Sequence, residues 1–130
     1  MKTELMYLLW TTLLTAVLWM PYIVDRILVL GITDAVGYPQ QPKPQSPWAQ
    51  RLMKAHANAV ENLVIFATLV LVAHAAGVSN SATASACAVY FWARLAHAVA
   101  FTLAIPWVRT ISFAVAFGAQ MVIAWQLLAR

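Results

Sequence analysis

Four long apolar stretches, separated by short polar or proline-rich segments, account for most of the chain. Each is long enough for a membrane-spanning helix, which needs about 20 residues to cross a hydrocarbon layer about 30 Å thick. The pattern therefore predicts an all-α fold, a single transmembrane domain over residues 1–130 built as a four-helix bundle. The predicted spans are residues 5–30, 48–76, 81–105 and 107–128.

Proline, glycine and serine residues set the predicted boundaries of these helices. Pro21 lies inside the first span and predicts a kink there. Four prolines exclude a continuous helix over residues 33–47, which we interpret as the first loop. Ser46 is the expected N-cap of the second helix, directly before a proline at the first helical position. Gly77 and Pro106 are expected to end the second and third helices.

The composition agrees with a membrane protein, because 63% of the residues are hydrophobic and only 9% are charged. An ordinary soluble domain carries about 25% charged residues. The net charge of +4 comes from basic residues scattered near predicted helix ends, so we expect no nucleic-acid partner. The single cysteine, Cys87, excludes an internal disulfide and is interpreted as a packing residue. The N-terminal apolar run is longer than the hydrophobic region of a signal peptide, so we expect a retained first span.

The basic residues also predict the orientation of the bundle. Four of them lie close to the first and third loops: Lys43, Arg51, Lys54 and Arg109. The opposite side carries Lys2 and Arg130, and its connecting turn is uncharged. Since cytoplasmic loops are enriched in lysine and arginine, we predict that the proline-rich loop lies inside and both termini lie outside the cytoplasm.

The second helix begins with a polar stripe, although it continues as an almost wholly apolar span. At about 100° per residue, Asn62 lies about 20° to one side of Arg51 and Asn58 about 20° to the other. Lys54 and Glu61 lie at about −60° and −80° from the same origin. The five side chains share a stripe about 100° wide, which must face protein, water or a polar ligand rather than lipid.

Polar residues of the third and fourth helices belong to the same end of the bundle. Arg94 and His97 lie within about 60° of each other near the end of the third helix, and the fourth begins close to Arg109. We therefore expect seven residues to converge there: Arg51, Lys54, Asn58, Glu61, Arg94, His97 and Arg109. The excess of positive charge suits an anionic ligand that carries carboxylates.

Structural interpretations remain open for several polar residues. Glu61 and Arg94 can form a buried ion pair that fixes helix packing, with or without a place at the rim of a site. The adjacent residues Asp25 and Arg26 serve either packing or gating, and the sequence does not decide between them.

Other kinds of site lack a convincing pattern in the sequence. There is no glycine-rich phosphate loop and no persuasive Ser/His/Asp arrangement. The three histidines are spaced too widely for a metal site, so we expect no metal. His56 and His74 are interpreted as packing or interfacial residues.

The motif RLMKAHANAVEN at residues 51–62 resembles a second-helix signature, roughly E-R-x-x-R-A-H-x-N-x-x-E-N. That signature is typical of the membrane-associated proteins in eicosanoid and glutathione metabolism, the MAPEG family. The stretches ARLAHAVAF and PWVRT resemble the family's R-x-x-H-x-x-x-Y motif and its fourth-helix arginine followed by a small hydroxyl residue. The resemblance covers nearly the whole chain and is greatest to the compact bacterial members.

The resemblance implies a four-helix homotrimer that binds glutathione between subunits near the cytoplasmic face. By position, six residues are implied to bind glutathione: Arg51, Lys54, Asn58, Glu61, Arg94 and His97. Arg109 matches the arginine that stabilises the glutathione thiolate, and Thr110 stands at the adjacent hydroxyl position.

At two positions the sequence departs from the family pattern, which affects the roles that the resemblance implies. Lys54 stands where an arginine is usual, so bidentate binding of a carboxylate is lost. Phe101 replaces a tyrosine and removes a hydroxyl group from the site.

The implied function is a membrane-bound glutathione transferase or peroxidase that acts on lipophilic electrophiles in a bacterial inner membrane. Its partners are then membrane lipid, glutathione, the electrophile and two further copies of the chain. The alternative is a non-catalytic membrane protein of the same fold that binds lipid or a small anion. A small transporter is a third and weaker interpretation, since the polar groups lie at one membrane side and no paired broken helices occur.

Overall fold

The computed structural model describes residues 1–129 and contains six helices in that range. They are α1 (Thr3–Val17), α2 (Trp19–Leu30), α3 (Ile32–Val36), α4 (Pro47–Ala75), α5 (Ser81–Thr102) and α6 (Val108–Leu128). The all-α prediction is confirmed. Four segments are long and apolar enough to span a membrane, with α1 and α2 together forming the first. Arg130, which entered the prediction of orientation, lies outside the described residues.

The predicted kink of the first span is present between α1 and α2. The helix breaks at Leu18, and Pro21 is the third residue of α2. A proline has no N–H for the carbonyl group four residues earlier, and its ring clashes with that group. That carbonyl belongs to Val17, the last residue of α1, so the break lies where the proline requires it.

The first loop differs from the prediction in two respects. The short helix α3 occupies its beginning, because the prolines come only after Val36 and do not oppose one helical turn there. Ser46 is the N-cap residue of α4, as predicted, but its side chain makes no capping bond. Its hydroxyl instead donates to Asp25 Oδ1 at 2.5 Å. The loop is therefore tied to α2 through the residue that was expected to cap α4.

The third span ends earlier than predicted. Helix α5 stops at Thr102 rather than residue 105, and Ala104 adopts a left-handed backbone with φ 57°. Its beginning is well capped, because Asn80 and Thr83 bond reciprocally through side chain and backbone. The loop that leads into α6 therefore starts one helical turn before Pro106.

Helix α5 lies at the centre of the bundle and packs most extensively against α6, with further contacts to α1 and α4. Phe66 of α4 stacks on Tyr90 of α5, with ring centroids 3.8 Å apart. Alanines 86, 93, 116 and 119 let α5 and α6 approach closely. Cys87 is fully buried in this core, which confirms the interpretation as a packing residue.

The core holds the start of α4, the end of α5 and the start of α6 at one end of the bundle, called here the site end. The α4–α5 turn lies at the opposite end with the beginning of α1. There Ser79 and Thr83 donate hydrogen bonds to Glu4 Oε1 at 2.9 and 2.8 Å. Asn80 Nδ2 donates to Gln126 Oε1 at 3.0 Å. This opposite end, called the closed end, is held together by hydrogen bonds within the chain.

Candidate functional site

Three helix ends meet at the site end of the bundle. The Arg51 side chain, one turn into α4, donates through Nε to the Thr102 carbonyl at the end of α5, at 3.0 Å. A cation at the C-terminal end of a helix is favourable because the last carbonyls carry partial negative charge. Arg51 therefore fixes α4 against α5 beside the beginning of α6.

Two recesses open at this end, on either side of a shared wall. The inner recess has a volume of about 260 Å³ and is lined by Asn58, His97, Phe101, Arg109, Thr110 and Phe113. The outer recess has a volume of about 430 Å³ and is lined by Arg51, Ala100, Phe101, Ala104, Ile105, Pro106, Trp107, Arg109 and Thr110. Phe101, Arg109 and Thr110 line both.

A larger groove, of about 470 Å³, lies elsewhere, on the α5–α6 surface. Its lining is almost wholly apolar and includes Trp92 and Ile111. It contains none of the residues predicted to bind or react with a ligand. A polar ligand is therefore expected in the two recesses rather than in the largest groove.

Arg94 lies behind the inner recess and is only 3% exposed. Its Nη2 donates to Asn58 Oδ1 at 2.8 Å, whereas Nε and Nη1 are buried and have no hydrogen-bond partner among residues 1–129. The backbone carbonyl of Asn58 accepts a hydrogen bond from Asn62 Nδ2 at 2.8 Å. An unsatisfied buried donor costs about 1–3 kcal/mol, and more when it is charged. The two nitrogens are therefore suited to pair with an anionic group.

His97 is equally buried and also lacks a partner. Its Nδ1 makes no hydrogen bond, and its ring lies against Phe101 and Phe113 with centroid distances of 5.7 and 6.2 Å. The imidazole ring therefore lines the inner recess, and its Nδ1 is buried without a partner among the described residues. Within residues 1–129, no three His, Cys, Asp or Glu side chains are arranged to hold a metal ion.

Arg109 stands at the beginning of α6 and is exposed to both recesses. Its guanidinium carbon lies 4.8 Å from the centre of the Phe101 ring, within the range of a cation–π contact. The N-terminal end of a helix carries partial positive charge, which adds to that of the guanidinium. Thr110, the next residue, supplies the only hydroxyl among the lining residues of the inner recess.

Lys54 and Glu61 do not join the other predicted site residues. Both are exposed, line neither recess and have no hydrogen-bond or ion-pair partner within residues 1–129. The ion pair considered between Glu61 and Arg94 is not formed, because Asn58, one turn earlier on α4, takes Arg94 instead. A charged side chain inside a span is costly when it faces lipid, and no other described residue covers these two groups.

The role of Asp25, which the sequence left open, is structural. The carboxylate is buried and accepts from the Ser46 amide at 3.0 Å and from Gln45 Nε2 at 3.2 Å, besides the Ser46 hydroxyl. Arg26 Nε donates to the Ala35 carbonyl at 3.0 Å. Both residues therefore attach the first loop to α2. An acidic residue in an apolar span indicated that Asp25 needs polar partners. Sequence patterns did not identify them, because they lie about 20 residues away.

His56, which the sequence analysis interprets as a packing or interfacial residue, lies on α4 and pairs with Tyr22 of α2. Its Nδ1 lies 2.8 Å from the Tyr22 hydroxyl. The pair links α2 to α4 below the first loop, so His56 is occupied in packing and does not face either recess.

Comparison with known proteins identifies a family. The sequence model of the MAPEG family matches residues 7–129, nearly the whole chain. No curated protein matches the chain. The matched range includes every residue that lines the two recesses.

Proposed function

The chain belongs to the MAPEG family, and we propose that it is a membrane-bound glutathione transferase or peroxidase acting on lipophilic electrophiles. The family includes glutathione transferases and related proteins. One observation carries the proposal: an arginine and a hydroxyl from α6 face the same recess as polar groups from α4 and α5. That recess is backed by a buried guanidinium with two free nitrogens.

The chemistry of glutathione fits these groups. The tripeptide carries two carboxylates, an amine and a thiol. Arg94 supplies donors for a carboxylate, since charge-assisted bonds from guanidinium to carboxylate are strong and directional. Asn58 and His97 supply further hydrogen bonds. We assign Arg109, with Thr110 beside it, to the sulfur.

Stabilisation of the thiolate is the catalytic task that this assignment gives to Arg109. A free thiol has a pKa of about 8.5, so only a few per cent is ionised at neutral pH. Lowering that pKa by two units requires about 2.7 kcal/mol of preferential interaction with the anion. A guanidinium within about 4 Å of the sulfur, at the positive end of a helix, has the right sign and the right order of magnitude.

The thiolate then reacts in one of two ways. In conjugation, sulfur attacks an electrophilic carbon, a C–S bond forms, the leaving group departs with its electron pair, and the thiol proton passes to solvent. In peroxide reduction, sulfur attacks a hydroperoxide oxygen, the O–O bond breaks, and an alcohol and a sulfenic acid result. A second glutathione converts the sulfenic acid to a disulfide and water. The bilayer concentrates the apolar substrate in both cases.

The exposed charges on α4 support the assembly implied by the family. Glu61 is near the middle of α4, where a charge facing lipid is costly. We propose that this face, with Lys54, is covered by neighbouring copies in a homotrimer, so that glutathione contacts two subunits. We further propose a bacterial inner membrane, with the site end at the cytoplasmic side and both termini on the other.

The proposal is tested with the full chain in maltoside micelles. Millimolar glutathione is expected to raise the unfolding temperature, and ophthalmic acid, in which a methyl group replaces the thiol, is expected to do so as well. Only glutathione should then react with 1-chloro-2,4-dinitrobenzene or reduce cumene hydroperoxide. An absence of both stabilisation and turnover contradicts the proposal.

A non-catalytic role is the second candidate, and one feature favours it. The two phenylalanines of the inner recess, Phe101 and Phe113, offer no hydroxyl to a thiol or carboxylate. A protein that holds lipid or a small anion has no need of such groups. Stabilisation by glutathione and ophthalmic acid without any turnover would support this candidate.

A further inference from the structure

The outer recess contains two cations and no acid. Arg51 and Arg109 both line it, and no carboxylate is among its lining residues. Arg51 uses only its Nε within the described chain, which leaves both terminal nitrogens for a ligand. The Arg109 guanidinium lies over the Phe101 ring and makes no hydrogen bond or ion pair within residues 1–129. The wall of the recess is therefore complementary to an anion with several oxygen atoms.

The position of the recess along the membrane normal restricts the source of that anion. It lies between the last residue of one membrane-spanning segment, Thr102, and the first residue of the next, Val108. The loop between them exposes Trp107 and Leu103. Tryptophan is enriched at the level of lipid headgroups, because its ring is apolar and its N–H is polar. The helix ends and Trp107 therefore indicate a depth for these cations close to that of the lipid phosphates.

The beginning of α6 adds a third source of positive potential. Arg109 and Thr110 are in the first turn of this 21-residue helix, where backbone amides have no acceptor within the helix. Phosphate groups bind at such helix ends when side chains complete the site. In the outer recess the side chains available for this are the guanidiniums of Arg51 and Arg109 and the hydroxyl of Thr110.

We propose that the outer recess binds the phosphate group of an anionic phospholipid from the surrounding leaflet, held between Arg51 and Arg109. The phosphate ester is the chemistry recognised, and the depth of the recess favours a lipid over free phosphate. The glycerol and acyl chains continue past Trp107 into the bilayer.

A functional consequence follows that rests on the proposed function. Arg109 lines both recesses, so a phosphate in the outer recess competes for the guanidinium assigned to the glutathione sulfur. Anionic lipid is then an inhibitor that couples glutathione use to membrane composition.

The binding step is measured without glutathione, on the full chain in maltoside micelles. The unfolding temperature is measured at increasing concentrations of dihexanoyl phosphatidylglycerol. Dihexanoyl phosphatidylcholine and inorganic phosphate are tested in parallel. We expect stabilisation by phosphatidylglycerol at concentrations about tenfold lower than by either other compound. An equal response to phosphatidylcholine overturns the proposal, and an equal response to inorganic phosphate overturns its assignment to lipid.

Charge variants locate the site. Arg51→Gln removes the charge but retains a donor for the Thr102 carbonyl, and it should weaken the response to phosphatidylglycerol about tenfold. Arg109→Gln loses no backbone hydrogen bond and should weaken the response to phosphatidylglycerol by a similar factor. It replaces Arg51→Gln as the test if that variant does not fold. Lys43→Gln removes an equal charge from the exposed first loop and should change nothing. Equal responses of the folded arginine variants and the wild type overturn the proposal.

The competition step has its own measurement. Adding phosphatidylglycerol should raise the glutathione concentration for half-maximal stabilisation severalfold in the wild type. Arg51→Gln should reduce that effect. If glutathione has no effect at all, the proposed function fails, whereas the phospholipid titration still decides the binding step. If both ligands bind without competing, the coupling is overturned.

Discussion

The two ends of the bundle differ in how completely their buried polar groups are hydrogen-bonded within the chain. At the closed end, the Glu4 carboxylate receives two hydroxyl groups, and Asn80 both caps α5 and donates to Gln126. At the site end, the buried side chains of Arg94 and His97 keep three nitrogens without any partner. Both ends contain a carboxylate that the chain itself satisfies, Glu4 at the closed end and Asp25 at the site end, but Arg94 and His97 at the site end also keep buried nitrogens that no described residue pairs.

This difference separates structural polar groups from functional ones. Buried polar groups in folded proteins are nearly always hydrogen-bonded, because leaving them unpaired costs free energy. Closed-end groups act as connections between α1, α5 and α6. Site-end groups retain buried donors that no described residue uses. Substitutions at the two ends should therefore affect different quantities, and the following experiments separate them.

The largest expected effect is on turnover, at the site end. Arg109→Ala should lower the rate of glutathione conjugation about 10²–10³-fold, the usual loss when one donor to a developing anion is removed. Helix packing should be little affected, since the exposed guanidinium makes no hydrogen bond or ion pair within residues 1–129. Conjugation rates and size-exclusion profiles of both proteins check this. Unchanged turnover would remove Arg109 from the mechanism.

The second effect is on glutathione affinity. Arg94→Met should weaken binding about 10- to 100-fold, because charge-assisted hydrogen bonds contribute about 1.5–3 kcal/mol. The free energy of unfolding without ligand should stay the same or rise, since the substitution removes a buried charge that has no ionic partner. Thermal unfolding with and without glutathione measures both quantities. A strongly destabilised variant with normal affinity would place Arg94 among the structural groups.

The third effect reverses this pattern at the closed end. Glu4→Leu should lower the free energy of unfolding by about 2 kcal/mol, because the Ser79 and Thr83 hydroxyls lose their shared acceptor. Glu4→Gln keeps a carbonyl oxygen at the same place and should lose less. Glutathione affinity should be unchanged in both variants. An altered affinity would show that the two ends are coupled.

The smallest effects concern the turns at the two ends. Gly77, in the closed-end turn, has φ 73°, and Ala104, in the site-end loop, has φ 57°. Left-handed backbone is costly for residues with a Cβ atom. Gly77→Ala should therefore destabilise by about 1 kcal/mol, and Ala104→Gly should stabilise by about 0.5–1 kcal/mol. Unfolding in mixed micelles measures both changes; shifts of equal sign would contradict the account.

Much of the fold was predictable because membrane spans are set by local properties. Hydropathy located the four spans, and Pro21 located the kink. The order of the spans placed Arg51, Asn58 and Arg109 at one end, and helical periodicity placed Arg51 and Asn58 on one face of α4. These inferences need only the rise and turn of a helix.

The remaining features depend on tertiary contacts that periodicity does not contain. Arg94 pairs with Asn58 rather than Glu61 because of how α4 and α5 pack, a matter of one helical turn. Ser46 bonds with Asp25, which is 21 residues away, instead of capping its own helix. Lys54 and Glu61 find no partner among residues 1–129, and the proposed homotrimer that would cover them is not specified by helix geometry within one chain.

A structure of the full chain with glutathione bound in lipid nanodiscs tests the central contrast most directly. We predict a tripeptide in the inner recess, a carboxylate within hydrogen-bond distance of the free nitrogens of Arg94, and the sulfur beside Arg109. The closed end should be unchanged. An empty recess in which Glu61 of a second copy bonds to Arg94 would contradict the account, because the free donors would then serve assembly alone.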